Sequence, residues 1–137
     1  KHEPVSWNDV ELFSDVYAAS GGTEHFINYA SGDRNKLYAF LRLRLPGNKN
    51  YDHFLEELRG AAIVRELHTV GKLVPVSARS GGEPQPSGFG KRLMSEAERI
   101  AKENGFQKLA VISGVGVRAY YYKLGYHLEG TYVVKTV

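Results

Sequence analysis

The chain has 137 residues, 42% of them hydrophobic, which supports one domain with its own core and no need of disulfides or a structural metal. It contains no cysteine, so thiol catalysis, zinc fingers and iron–sulfur ligation are excluded together, and the composition fits a reducing compartment. The net charge of +3 is uneven: residues 1–84 hold ten Lys and Arg against eleven Asp and Glu, residues 85–137 eight against four, so the second part suits a phosphate-rich ligand.

Val10 to Ala19 is expected to pair across a Gly21-Gly22 turn with Thr23 to Tyr29 as a hairpin. After the polar segment Ser31-Gly32-Asp33-Arg34-Asn35, Leu37, Ala39, Leu41, Leu43 and Leu45 alternate with Tyr38, Phe40, Arg42 and Arg44. That pattern predicts a strand with one aliphatic face and one aromatic-to-basic face, ended by Pro46-Gly47-Asn48. Ala62 to Val70 reads as the next strand, with Glu66 and His68 two residues apart and so on one face. Leu73 to Val76 reads as a short extension, and Ala78 to Pro86 as a Gly/Pro/Ser-rich loop.

From Phe89 the apolar positions Phe89, Leu93, Met94, Ala97, Ile100 and Ala101 recur at helical spacing, and Gly105 follows Asn104 as a C-terminal cap. Leu109-Ala110-Val111-Ile112, within Lys108 to Ser113, suits a strand buried on both faces. Gly114-Val115-Gly116 turns into a shorter helix through Tyr120 to Leu124, stopped by Gly125, and Tyr126 to Leu128 and Tyr132 to Thr136 close the chain as strands. The order is four strands, helix, strand, helix, two strands, with no internal repeat or domain linker. No apolar run approaches a membrane span and no signal peptide is recognisable, so the expectation is a soluble, cytoplasmic protein without membrane contact.

The segment Gln85-Pro86-Ser87-Gly88-Phe89-Gly90 runs straight into the long helix. Glycines at a helix start let backbone N–H groups converge where the positive end of the dipole lies, a geometry suited to a pyrophosphate. It is not a dinucleotide-binding fingerprint, and Gly90-Lys91 is followed by Arg92 rather than the Ser or Thr of a Walker A loop. Gln-x-x-Gly-x-Gly ahead of a helix resembles the coenzyme A pyrophosphate loop of the GNAT acetyltransferases. Tyr121-Tyr122-Lys123-Leu124-Gly125-Tyr126 resembles the later motif of the same superfamily.

A narrower likeness covers nearly the whole chain. Ile63-Val64-Arg65-Glu66-Leu67-His68, Gly88-Phe89-Gly90, Leu93 to Ala101, Ala19 to Glu24, Leu41 to Leu45 and Val111-Ile112-Ser113-Gly114-Val115-Gly116-Val117-Arg118 are similar to the acetyltransferase domain of the Elongator catalytic subunit family. Ala119 and Tyr122 depart from that pattern. The resemblance implies an α/β (α+β) GNAT-like fold over residues 1–137: a mixed, mostly antiparallel sheet splayed around an acetyl-CoA site, with flanking helices. It also implies service in tRNA wobble-uridine carboxymethylation at carbon 5. The iron–sulfur cluster and S-adenosylmethionine of that chemistry would belong to a radical SAM domain that this cysteine-free chain lacks, which makes the chain a fragment or an isolated acyltransferase domain.

What the resemblance implies for single residues is as follows. Gln85, Ser87, Gly88, Phe89, Gly90 and Lys91 would cradle the pyrophosphate, and the backbones of Glu66, Leu67, His68 and Thr69 would meet the pantetheine arm. Tyr121, with Tyr120 beside it, would place a hydroxyl near the thioester sulfur, and Glu66 or His68 is a general-base candidate. Arg42, Arg44, Arg79, Arg118 and Lys135 are candidates for RNA phosphate contact. His2, His25, His53 and His127 show no metal-ligand spacing, and no metal is expected. The alternatives left open are a protein lysine N-acetyltransferase and a non-catalytic acetyl-CoA or RNA-binding module.

Overall fold

The computed structural model describes residues 9–47, 55–69 and 88–137. The expected segments Leu73 to Val76 and Ala78 to Pro86, and with them Gln85, Ser87 and Arg79, lie outside the described residues, as do His2 and His53. Seven strands, β1 (Val10–Ala19), β2 (Gly22–Ser31), β3 (Leu37–Pro46), β4 (Ala61–Thr69), β5 (Lys108–Ile112), β6 (His127–Glu129) and β7 (Tyr132–Thr136), form one sheet in the order β1-β2-β3-β4-β5-β7-β6. Every neighbouring pair is antiparallel except β4 and β5. Helix α1 (Phe89–Glu103) makes the crossover between these two parallel strands, and α2 (Arg118–Lys123) follows β5.

The β1–β2 turn is one residue earlier than Gly21-Gly22. Ser20 and Gly21 both have positive φ, +47° and +79°, so the loop is a two-residue turn of the hairpin type and Gly22 opens β2 opposite Ala19. Gly22 is needed there for another reason: a Cβ on it would come within 2.5 Å of the Leu45 carbonyl oxygen. Arg44 clamps this corner, donating from Nη1 to Ala19 O (2.9 Å) and from Nη2 to Ser20 O (2.8 Å). The same guanidinium reaches Glu24 at 3.1 Å, a carboxylate buried in the sheet that also meets Arg65 at 3.4 Å.

On β3 the predicted alternation holds from Ala39 to Leu45, all buried. It fails at Leu37, which is exposed, because Tyr38 is an extra residue between the pairs Ala30↔Leu37 and Tyr29↔Ala39. The bulge reverses which side chains face inward. Tyr38 therefore joins the core and stacks on Phe89, ring centroids 6.1 Å apart.

The apolar stripe of α1 is the expected one: Phe89, Leu93, Met94, Ala97, Ile100 and Ala101 are all buried, against Ile27, Leu41, Leu43, Ala62, Val64, Leu109 and Val111 of the sheet. The opposite face carries a smaller cluster of Leu58, Ala61, Ala110 and Val134 under a 3-10 turn at Glu56–Leu58. Leu109, Ala110 and Val111 are buried on both faces as predicted, whereas Ile112 is exposed.

Both helices end in the same way. Phe106 N–H donates to Ala101 O and Gly105 N–H to Lys102 O; Tyr126 N–H donates to Tyr121 O and Gly125 N–H to Tyr122 O. Gly105 and Gly125 sit at φ +87° and +98°, the left-handed position that this paired-bond ending requires. The ends are then tied together: Tyr126 donates its hydroxyl to Glu98 of α1 (2.6 Å), while Lys135 of β7 reaches Glu98 and the carbonyl of Leu124 (3.0 Å).

Burial raises the pKa of Tyr121 to about 12; Tyr126 is raised too, by burial first and then by its bond to Glu98. Both hydroxyls hold their proton more tightly folded than unfolded. Their stabilisation is therefore full below pH 10 and lost as pH rises from 10 toward 12, by about 2 to 3 kcal/mol for Tyr121. We expect the melting temperature to fall steeply above pH 10, and less steeply in Tyr121→Phe. An equally steep fall in that variant would remove Tyr121 from the cause.

Candidate active site

The parallel β4–β5 ladder runs only from Ala61↔Lys108 to Val64↔Val111. Beyond it β4 continues to Thr69 against β3 alone, so the edge of residues 65–69 turned away from β3 has no strand against it among the described residues. The divergence begins at Arg65, an extra residue between Arg42↔Glu66 and Leu43↔Val64 that bends the strand. Glu66, Leu67, His68 and Thr69 thus offer backbone N–H and C=O groups to the fork.

The start of α1 stands beside this fork. Gly88, at φ +97°, is its N-cap, and its carbonyl accepts from Arg92 N–H at 2.9 Å. No side chain caps the helix, and Phe89 is buried while Lys91 is exposed. At Gly90 a Cβ would meet the hydroxyl oxygen of Tyr120 at 2.6 Å and Leu67 Cδ2 at 3.8 Å. Glycine at 90 therefore lets three elements approach one another: the first turn of α1, the open part of β4, and α2.

The tyrosine pair divides between core and surface. Tyr121 is 6% exposed and packs edge-on between Tyr120 (5.1 Å) and Tyr126 (6.0 Å), a core residue. Tyr120 is 39% exposed and its hydroxyl is the one at Gly90. Consecutive helical residues point about 100° apart, so when one packs inward the other flanks the fork. Burial raises the pKa of Tyr120 as well, which keeps its hydroxyl a proton donor at neutral pH.

Glu66 and His68 do share a face, as predicted, and it is the face away from α1. Leu67 packs into the helix-side core, while Glu66 accepts from Arg42 Nε (3.1 Å) and the His68 ring lies 5.5 Å from Phe40. The structure thus brings Leu67, Gly90 and Tyr120 together and sets the Glu66 and His68 side chains on the other side of the sheet. Sequence reasoning did not single out which arginine holds Glu66: it is Arg42, with the Tyr17 hydroxyl behind it at 3.3 Å. These side chains line an open polar depression of about 670 Å³ with Glu24, Arg44 and Arg65. Finding them requires the β3–β4 register, which puts Arg42 opposite Glu66.

Of the basic residues considered for phosphate contact, Arg42, Arg44 and Lys135 are engaged with Glu66, Glu24 and Glu98. Arg118 has a different setting, a long 3.5 Å bond to the Thr131 carbonyl. Among the described residues no group of three or more His, Cys, Asp or Glu is placed to hold a metal ion, and no helix is long and apolar enough to cross a membrane.

Comparison with known proteins adds the relatives. Elongator complex protein 3 of Bos taurus is 48% identical over 137 residues, and that of Saccharomyces cerevisiae 46% over 138, each match taking in 99% of this chain and 25% of the relative. The chain is homologous to the C-terminal region of Elongator complex protein 3. It spans about a quarter of the length of the Elongator relatives. Among solved structures, archaeal Elp3 of Methanocaldococcus infernus is similar at TM-score 0.73 and 38% identity, over 98% of this chain and 31% of that one. A nourseothricin acetyltransferase shares the fold at TM-score 0.53 and 15% identity, over 93% of this chain and 87% of its own. No family model matches. The fold is therefore that of the GNAT-like acetyltransferases, as the Elongator resemblance implied.

Proposed function

We propose that this domain binds acetyl-CoA in the β4–β5 fork and transfers its acyl group in the service of tRNA wobble-uridine carboxymethylation. The observation that carries the donor half is the meeting of a β4 edge that has no strand against it among the described residues with a glycine helix start at Gly88 and Gly90. Peptide-like pantetheine has the amides to pair with that edge, and the amides at the start of α1 suit its pyrophosphate. Tyr120 would donate to the departing thiolate, Tyr121 would support it from the core, and Glu66 or His68 would act from the acceptor side. The Elongator homology supports the acceptor half. The radical chemistry would fall to another domain, since this chain has no cysteine to bind a cluster.

Titration calorimetry of wild type and Gly90→Trp with acetyl-CoA tests the donor site; the expected loss is tenfold or more, about 1.4 kcal/mol. Equal affinities in a folded variant would reject the site. For the acceptor, thiol release is followed with tRNA and with a lysine peptide. We expect acceleration by tRNA, whereas robust peptide acetylation without a tRNA response would favour lysine N-acetylation.

A further inference from the structure

The segment Ser113-Gly114-Val115-Gly116-Val117-Arg118 leads from β5 into α2. Its glycines are not explained by the fold. Neither Gly114 nor Gly116 has a positive φ, and among the described residues a Cβ on either would meet nothing within 4 Å. Val115 between them is 75% exposed. Backbone that neither twists nor packs, yet carries no side chain, is suited to close approach by something from outside.

Two buried polar atoms flank this open backbone, Ser113 Oγ and Arg118 Nε, and neither has a hydrogen-bond partner among the described residues. They come from opposite ends of the segment to one corner. Ile112 pairs with Tyr132, which brings the following Ser113 toward Thr131, and Arg118 Nη2 donates to the Thr131 carbonyl. The corner also holds the 3-10 turn Val115–Val117, closed by Val117 N–H donating to Gly114 O. No carboxylate pairs with Arg118 among the described residues, in contrast to Arg42 and Arg44. A guanidinium only donates, a serine hydroxyl donates readily, and a buried donor left unmatched is costly. Such a group calls for an acceptor, and the uncompensated positive charge makes an oxyanion the favoured one.

We propose that Ser113, Arg118 and the Gly114–Gly116 backbone form a second oxyanion subsite, separate from the α1 turn, that takes a phosphate group carried by one of the two substrates. The subsite lies on the segment that joins β5, one strand of the fork, to α2, which carries Tyr120. The phosphate is either the 3′-phosphate of coenzyme A or a phosphodiester of the nucleic-acid acceptor, and the subsite rests on the proposed reaction only for the identity of its ligand.

The test compares wild type, Arg118→Gln, Arg118→Lys, Ser113→Ala and Gly90→Trp, each checked for folding by its melting curve. Each is titrated with coenzyme A, with dephospho-coenzyme A and with a short single-stranded RNA. A donor-side phosphate predicts that Arg118→Gln weakens coenzyme A about tenfold, abolishes the preference over dephospho-coenzyme A, and that Arg118→Lys restores part of it. An acceptor-side phosphate predicts unchanged coenzyme A affinity and about tenfold weaker RNA binding with a shallower salt dependence. Folded Arg118→Gln that binds all three ligands like wild type overturns the subsite. If coenzyme A binding is lost in Gly90→Trp in that same experiment, the donor reading survives while the subsite falls.

Discussion

Tyr120→Phe is expected to slow thiol release from bound acetyl-CoA roughly ten- to a thousandfold while changing acetyl-CoA affinity by less than about twofold. The substitution keeps the ring and deletes the hydroxyl that lies at Gly90. Negative charge grows on the thioester sulfur only as the carbon–sulfur bond breaks, so a donor placed there lowers the transition state more than the ground state. Tyr121→Phe is the paired control. Its hydroxyl is in the core, and the expected outcome is a small change in rate with altered alkaline stability. Thiol release at saturating acetyl-CoA and calorimetric affinity decide together: a slow Tyr121→Phe beside an unaffected Tyr120→Phe would return the donor role to Tyr121.

Arg44→Met should be the most damaging of the surface-reaching substitutions. It removes two bonds to the carbonyls of the β1–β2 turn and leaves Glu24, 4% exposed, with the longer Arg65 contact. Stripping a partner from a buried carboxylate costs about 3 to 5 kcal/mol, a fall of about 6–20 °C in melting temperature for a domain of this size. Glu24→Met added to Arg44→Met removes the stranded charge and should restore most of that loss. A double variant no more stable than Arg44→Met would show that the turn carbonyls, not Glu24, carry the effect. The ion pair Arg42–Glu66 is a useful contrast, because both side chains are about half exposed and its contribution to stability is about 1 kcal/mol or less.

Much of this architecture was legible because it follows from local periodicity. The stripe from Phe89 to Ala101 fixes α1 and its buried face, and Tyr132–Thr136 emerges with the predicted bounds. The misreadings have a common physical origin. Leu37 and Tyr38 exchange faces through a bulge set by pairing with β2, and Ser20, not Gly22, takes the left-handed turn position because Gly22 is pressed against β3. The tyrosine pair raises a separate question on a helix, that of which neighbour packs inward. Adjacent aromatics have similar preferences for burial, and only the packing of α2 against Tyr126 selects Tyr121 for the interior. The candidate residues themselves were legible through their resemblance to the Elongator family, while the sheet face that each side chain occupies depends on strand register.

Among the described residues, four pairs, Ala61↔Lys108 to Val64↔Val111, make the seam between a four-stranded leaf, β1 to β4, and a three-stranded leaf, β5 to β7. Within each leaf most joins have a neighbouring turn to hold them, but this seam pairs residues 47 apart in sequence, tethered by the crossover that includes α1. The fork is therefore where two separately organised halves part company. A ligand lodged there touches both leaves and acts as a stitch, extending a short seam by the length of its own contacts. The cleft opens from this short, non-local join, so binding of a ligand there would be thermodynamically linked to the cohesion of the two leaves.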